Sequence, residues 1–303
     1  MKTLGHYWKD MFKKILKAIQ NPSLAVSFLK AKLFDIFGSK EFIGAIGNRS
    51  ESDGGNYVVA VKKALHNYNA FCNFKRDPRY RAVLEHVNEA QGAQYLDLIR
   101  NKSPALLEKI ESFKENDLVG GAATVNYPEI GAISPSTLRY IKVASDLRNL
   151  FGENIGERIA EIGVGYGGQL LIADKVLKFK QYDLFDLPPV LELTSKYLES
   201  HNLNSAYKTQ TINQHTGDIN YDLVISNYAF SELPSELQRT YIKKIIAKSK
   251  RGYLTMNSGQ TNSAFQDNKL TLTELKNLLP KFELLPEEPL THPGNYIIVW
   301  NGN

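Results

Sequence analysis

A chain of 303 residues, 43% of them apolar, has room for one large domain or two and enough apolar surface to bury a real core. One cysteine, Cys72, excludes an internal disulfide and fits a reducing compartment; with no signal peptide and no apolar run near the ~20 residues that span a bilayer, the expected location is the cytoplasm. The net charge of +5 is gathered at one end, because residues 1–40 carry eight lysines against two aspartates, a net of +6, which leaves the remainder at −1 and argues against a general nucleic-acid-binding surface.

Trp8, Phe12, Ile15 and Ile19 recur at helical spacing with lysines between them, which predicts a basic amphipathic helix. Asn21-Pro22 stops it, and Ser23 opens a second helix that closes at Gly38. Two readings stay open for residues 1–40: a peripheral contact with an anionic membrane face, at the inner side of the membrane, or a helical hairpin packed on its own domain or on a second subunit of a homo-oligomer. The packed hairpin is preferred, since lysine-rich faces are usually just solvated.

Residues 41–56 are glycine-rich and read as a loop, and helical patterns resume from Tyr57 to Phe113. Ser103 caps the last of these, with Pro104 in its first turn. Asn116 to Pro135, with three glycines and two prolines, is predicted to be a loop able to cover a site. Residues 41–135 therefore form a helical lid region ahead of a ligand-binding domain at 136–303. Ser136 is the expected cap of an apolar helix that runs to Gly152.

The most informative stretch follows, Arg158-Ile-Ala-Glu-Ile-Gly-Val-Gly-Tyr-Gly-Gly-Gln169. It reads as strand, glycine turn and helix, built for a nucleotide-like ligand that lies against bare backbone at a helix N-terminus. Gly163, Gly165 and Gly168 satisfy the spacing of dinucleotide folds. Glu161 near the strand tip argues the other way, because a carboxylate there faces a cationic ligand better than a pyrophosphate. A carboxylate ahead of Gly163, Gly165 and Gly167 resembles motif I of the class I S-adenosylmethionine (SAM) methyltransferases.

Gln181 to Asp186 alternates as a second strand, and a carboxylate at its tip can accept both hydroxyls of a ribose. Asp183 competes for that role from inside the strand, and Asp186 is preferred by position. A weaker third strand spans Tyr207 to Ile212 and leads into Asn213-Gln-His-Thr-Gly-Asp218. Tyr221 to Asn227 is a buried fourth strand, Ser235 caps the next helix, Gly252 to Asn257 is a fifth strand, and Thr273 opens another helix. The chain closes with Lys281 to Pro286, a short loop, and Asn295 to Trp300; so short a connection forces the two strands to pair antiparallel. The fold class is thus α/β, a doubly wound, Rossmann-like seven-stranded sheet with its last strand reversed, which is the class I methyltransferase pattern and argues against a nicotinamide enzyme.

Six segments in order across residues 72–300, among them Ile133-Ser-Pro-Ser-Thr-Leu-Arg-Tyr-Ile-Lys142, Asp186-Leu-Pro, Ser226-Asn-Tyr-Ala-Phe-Ser-Glu232 and Gly294-Asn-Tyr-Ile-Ile-Val-Trp300, resemble a bacterial sugar O-methyltransferase family. The first 70 residues are additional to it. The resemblance implies SAM as cofactor and a sugar, nucleotide-sugar or glycan as acceptor, in surface-glycan (capsule or lipopolysaccharide) or glycosylated natural-product assembly. It implies that Ser136, Thr137, Arg139 and Tyr140 approach the cofactor, with Arg139 suited to a carboxylate. It also implies that Asp186 and Leu187 hold the ribose end, that Asn213 and Gln214 edge the adenine, and that Asn227 lies beside the methyl group.

A sugar alcohol is a poor nucleophile while protonated, so a base is expected within hydrogen-bond reach. Glu232 is the first candidate, His292 in the terminal hairpin the second and His215 the third; as alternatives they are a helix N-terminal carboxylate and ordinary histidines. No adjacent pair of carboxylates follows the fourth strand, so no metal is expected. The competing readings are a NAD-linked oxidoreductase and a non-catalytic scaffold of a glycan-assembly complex.

Overall fold

In the computed structural model the described residues are 55–257 and 268–302. The expected helices of residues 1–40 lie outside them, as does most of the loop at 41–56. The chain divides between Asn48 and Arg49 into two units, and the described residues belong to the second.

The front section is helical, with α1 (Asn56–His66) and α2 (Glu89–Lys102) as its main elements. Asn88 starts α2 with a reciprocal capping box, its side chain accepting from Gln91 N while the Gln91 side chain accepts from Asn88 N. Beyond Lys102 the expected α-helix begins as a 3₁₀ segment, Pro104–Lys109, followed by two single-turn α-helices, Ile110–Phe113 and Glu115–Leu118; Ser103 makes no cap bond, and its hydroxyl meets Ser145 and Asn149 on a neighbouring helix. The expected loop at 116–135 contains a small antiparallel hairpin, β1 (Val125–Tyr127) with β2 (Gly131–Ile133). The helix that follows, α3 (Pro135–Phe151), is capped by Ser134 rather than Ser136, because Pro135 takes the first helical position and the Ser134 hydroxyl accepts from Ser136 N at 3.2 Å.

The seven strands are β3 (Arg158–Ile162), β4 (Gln181–Phe185), β5 (Ala206–Gln210), β6 (Leu223–Asn227), β7 (Arg251–Met256), β8 (Glu283–Pro286) and β9 (Tyr296–Asn301), in the order β5-β4-β3-β6-β7-β9-β8. Strands β3 to β7 pair in parallel, while β9 enters between β7 and β8 and is antiparallel to both, which is the reversed last strand expected from sequence. Trp300 of β9 crosses Gly252 of β7 so closely that a Cβ there would stand 2.0 Å from the indole, and the indole N–H donates to Ser249 O at 3.3 Å.

Side chains alternate between the two faces of the sheet. Ile159, Tyr182, Leu184 and Ile225 pack on one side with α3, α4 (Gly168–Val176), α5 (Pro188–Leu198) and the front section, in one continuous apolar cluster. Ile162, Phe185, Val224, Leu254 and Trp300 pack on the other with α6 (Ser235–Lys244) and α7 (Leu272–Leu278). The front section thus shares its core with the sheet. Pro234, not Ser235, precedes α6, and α7 opens on a capping box at Thr271 and Glu274 rather than at Thr273. Among the described residues no helix is long and apolar enough to cross a membrane.

Strand order reverses between β3 and β6. In open α/β sheets a ligand crevice forms outside the carboxyl ends of the strands at such a point. Gly163 and Asn227, the residues at those two strand ends, mark it here.

Candidate active site

At the end of β3 the backbone still donates from Gly163 N to Phe185 O at 2.9 Å, and then turns through Gly163 (φ +77), Gly165 (φ +58) and Gly167 (φ +90) into α4. The first of these admits no other residue, because a Cβ would lie 2.0 Å from that of Ala229, just past β6. At Gly165 a Cβ would stand 2.8 Å from Leu84 Cδ1, so the front section lies directly over the turn.

Glu161 and Asp186 belong to the same face of the sheet. Glu161 is 2% exposed and its carboxylate accepts from the Tyr182 hydroxyl at 2.9 Å, with Ile159 and Leu184 as same-face neighbours. Burial pushes this carboxyl up to about 8; the Tyr182 hydrogen bond opposes the shift and the charge of Asp186 adds to it. Asp186 supports the turn from below: one oxygen accepts from Val164 N at 2.8 Å and Gly165 N at 3.3 Å, the other from Leu187 N at 2.7 Å. Asp183 faces the opposite side, where it accepts from the Tyr221 hydroxyl at 3.0 Å and lies 3.8 Å from Arg158. It is therefore kept from the turn.

The raised Glu161 carboxyl has a signed consequence. Its folded-state pKa of about 8 lies above the ordinary 4.5 of a glutamate, so the folded protein holds a proton that the unfolded chain releases, and stability is lost as pH rises from 4.5 through 8. The full effect is on the order of 5 kcal/mol. Lys75, buried and pushed down to about 8 from 10.5, acts above that window and with the opposite slope. Glu161→Gln is expected to flatten the fall between pH 4.5 and 8 in urea titrations of the ligand-free protein; an unchanged slope removes the assignment.

Helix α3 and the front section bring a buried polar network against the turn. Thr137 Oγ1 donates to Asp117 at 2.6 Å and accepts from Asn116 Nδ2 at 2.7 Å, and Asn116 Nδ2 also donates to the Tyr166 hydroxyl at 3.1 Å. Burial raises the Asp117 carboxyl against these hydrogen bonds. Lys75 donates to Asn116 O and lies 4.2 Å over the Tyr166 ring. Tyr140 packs edge-on to Tyr166 at 6.0 Å, and its carbonyl accepts from Gln169 Nε2 at 3.2 Å. Arg139 is 8% exposed; its guanidinium meets Leu84 O at 3.3 Å and the Tyr140 ring at 5.4 Å, and among the described residues it forms no ion pair. Ser136 is buried within the same helix.

Beside Arg139 lies a small depression, partly open to solvent, whose walls include Tyr95, Arg139, Lys142, Asn227, Tyr228 and Glu287. Asn227 Oδ1 is buried with no partner among the described residues. Tyr228 adopts φ +69, a conformation that costs a bulky side chain of order 1–3 kcal/mol and gathers at functional sites. Its hydroxyl donates to Glu287, which also accepts from Thr291 N at 2.8 Å. Burial, then the Glu287 charge, drives the Tyr228 phenol well above its ordinary value.

The remaining sequence candidates are spread more widely. Glu232 ends a short turn after β6 and accepts from Asn257 Nδ2 at 2.8 Å. His292 is exposed on the terminal hairpin, its Nδ1 3.1 Å from Pro293 O. His215 is 2% exposed and packs edge-on against Phe185 at 5.2 Å, within the apolar layer opposite Glu161, where burial lowers its pKa. Asn213 and Gln214 are exposed, and Gln214 Oε1 accepts from Thr211 N at 2.9 Å. The structure thus gathers Glu161, the glycine turn, Asp186, Leu187, Arg139, Tyr140 and Asn227 around one end of the sheet. Glu85, Lys75 and Glu287 join them there without having been singled out from sequence.

No family model matches the chain, and no curated protein does. Solved structures do match. One is a SAM-dependent methyltransferase from Clostridium acetobutylicum ATCC 824, at 11% identity over 55% of this chain and 92% of that one, with a TM-score of 0.42. TehB from Haemophilus influenzae matches at 15% identity over 53% of this chain and 62% of that one, with a TM-score of 0.40. The T. thermophilus 16S rRNA N2 G1207 methyltransferase (RsmC), solved with AdoMet and guanosine, matches at 13% identity over 54% of this chain and 43% of that one, with a TM-score of 0.38. With TM-scores below 0.5, these likenesses add nothing to the strand order and site geometry already described.

Proposed function

We propose that this chain is a SAM-dependent O-methyltransferase that methylates a sugar hydroxyl in surface-glycan or glycosylated natural-product biosynthesis. The observation that carries the reading is the pairing of Glu161 and Asp186 on one face of the sheet, on either side of a bare glycine turn at its switch point. SAM supplies a methyl group on a sulfonium, reactive toward in-line displacement by an oxygen nucleophile.

The chain's own residues orient the two partners. The Asp186 carboxylate is anchored by the N–H groups of Val164, Gly165 and Leu187, and this oriented side chain is the ribose partner. Leu187 and the loop at Asn213 and Gln214 border the adenine. Arg139, buried and without an ion pair among the described residues, holds the carboxylate of the methionine end. The acceptor enters the pocket beside Asn227, where Tyr95 and Tyr228 offer ring faces to a sugar and Lys142 and Glu287 offer polar contacts. For the acceptor proton, Glu287 lines that pocket and Glu232 lies on the turn after β6. The acceptor is a nucleotide-linked sugar or a growing glycan, and the basic segment 1–40 is suited to holding the protein at an anionic membrane face or to self-association.

Incubation with methyl-labelled SAM and a panel of nucleotide-linked sugars is expected to yield a labelled, acid-stable ether, and calorimetry is expected to show SAM binding without NAD binding. Micromolar NAD affinity with no SAM signal overturns the reading. SAM binding with no transfer to any glycan acceptor supports the scaffold alternative instead.

A further inference from the structure

Glu85 is a buried carboxylate that the fold itself leaves unused. It is 7% exposed, and among the described residues its Oε1 has no hydrogen-bond partner and it forms no ion pair. The nearby lysine is committed elsewhere, since Lys75 is turned to Asn116 O and the Tyr166 ring. Arg139, almost equally buried, is the other unpaired charge in this region.

The two are held close without meeting. Leu84, the residue before Glu85, presses on the glycine turn at Gly165 and offers its carbonyl oxygen to Arg139 at 3.3 Å. Residues 84–85 are therefore pinned between the turn and the guanidinium. Gln169, 1% exposed at the start of α4, adds a second partnerless oxygen, Oε1. Opposite charges withdrawn from water and left apart have lost hydration without gaining each other's attraction. A ligand carrying one positive and one negative group at the spacing of an α-amino acid satisfies both.

We propose that Glu85 accepts a hydrogen bond from the ammonium of the donor's amino-acid end while Arg139 holds its carboxylate, so that the zwitterion bridges two charges that do not bridge themselves. The inference rests on the methyl-donor reading above and assigns to the front section a direct part in selecting the donor. Glu161, already bonded to Tyr182 beneath the turn, is not needed for this contact.

The test compares S-adenosylhomocysteine with 5′-methylthioadenosine, which keeps the nucleoside and thioether but lacks the amino acid, by calorimetry on the full chain. Glu85→Gln is expected to bind S-adenosylhomocysteine about tenfold or more weakly, as loss of a charged hydrogen bond requires, and to bind methylthioadenosine within about twofold of wild type. Wild type should lose a similar factor toward the desamino analogue of S-adenosylhomocysteine, and Glu85→Gln should bind those two ligands equally. That analogue needs no variant, so the inference stays open to refutation if the substitution disturbs folding. Unchanged affinity of Glu85→Gln for S-adenosylhomocysteine, a parallel loss toward both ligands, or a wild type indifferent to removal of the amine overturns the role of Glu85. A wild type that binds neither adenosyl ligand overturns the methyl-donor reading itself.

Discussion

Asp186→Ala is expected to lower the affinity for SAM by about a hundredfold or more and to reduce thermal stability at the same time. Two effects add. The ribose loses its acceptor, and the N–H groups of Val164, Gly165 and Leu187 lose theirs, each orphaned buried donor costing roughly 1–3 kcal/mol. Asp186→Asn separates them, since its single carbonyl oxygen can still accept from Val164 and Gly165 while its amide group opposes the Leu187 N–H. The asparagine variant should therefore recover much of the melting temperature and little of the SAM affinity. Calorimetry and thermal denaturation on the two variants check this; an alanine variant that binds SAM as wild type does would remove Asp186 from the site.

Gly163→Ala is expected to be the most damaging single methyl group that can be added near the turn, destabilising the fold by more than about 3 kcal/mol and abolishing donor binding. Strain at φ +77 accounts for roughly 1–2 kcal/mol of this, and overpacking against Ala229 for the rest. The two contributions are separable because the facing atom is itself a methyl group. Ala229→Gly on its own should be mildly destabilising, whereas in combination with Gly163→Ala it should recover more than half of the loss, a coupling that denaturant titrations of the four proteins measure directly. If the second substitution recovers nothing, close packing of the turn on the segment after β6 is not what excludes a side chain.

The sheet was legible because its signals are local. A buried run followed by alternate glycines fixes a strand and its turn, and the short connection between Pro286 and Asn295 leaves the last two strands no option but antiparallel pairing. Asp186 could be preferred over Asp183 on position alone, since it stands at the strand end and Asp183 inside the strand; in the structure Asp186 reaches the glycine turn and Asp183 reaches Tyr221. Helix starts were harder. Ser134 and Ser136 are both good caps, and only the place of Pro135 in the first turn decides between them. The hairpin at 125–133 was masked by its glycine and proline content, which is equally the content of a loop.

What sequence concealed was convergence. Glu85 follows Ala82-Val83-Leu84 in a turn between helices, and nothing in that short apolar run indicates that Leu84 will anchor on the glycine turn. Glu287 reaches the end of β6 only because β9 folds back between β7 and β8 and carries the hairpin loop with it. The adjacent acids Glu287-Glu288 ahead of Pro289 are a signal in the sequence, placed far along the chain from the fourth strand whose end they approach. His215 shows the reverse: a polar residue in a loop near a predicted ligand that folds under Phe185 into the opposite layer.

The lock between Gly252 and Trp300 gives the protein an optical gauge of its own assembly. The chain has only two tryptophans, Trp8 and Trp300, so with Trp8 replaced by phenylalanine the remaining indole emission reports on insertion of the closing strand. Because that strand also carries the hairpin of Glu287, the same emission marks the moment at which the wall of Glu287 and Tyr228 comes into being, separately from the glycine-turn side built by β3, β4 and β5.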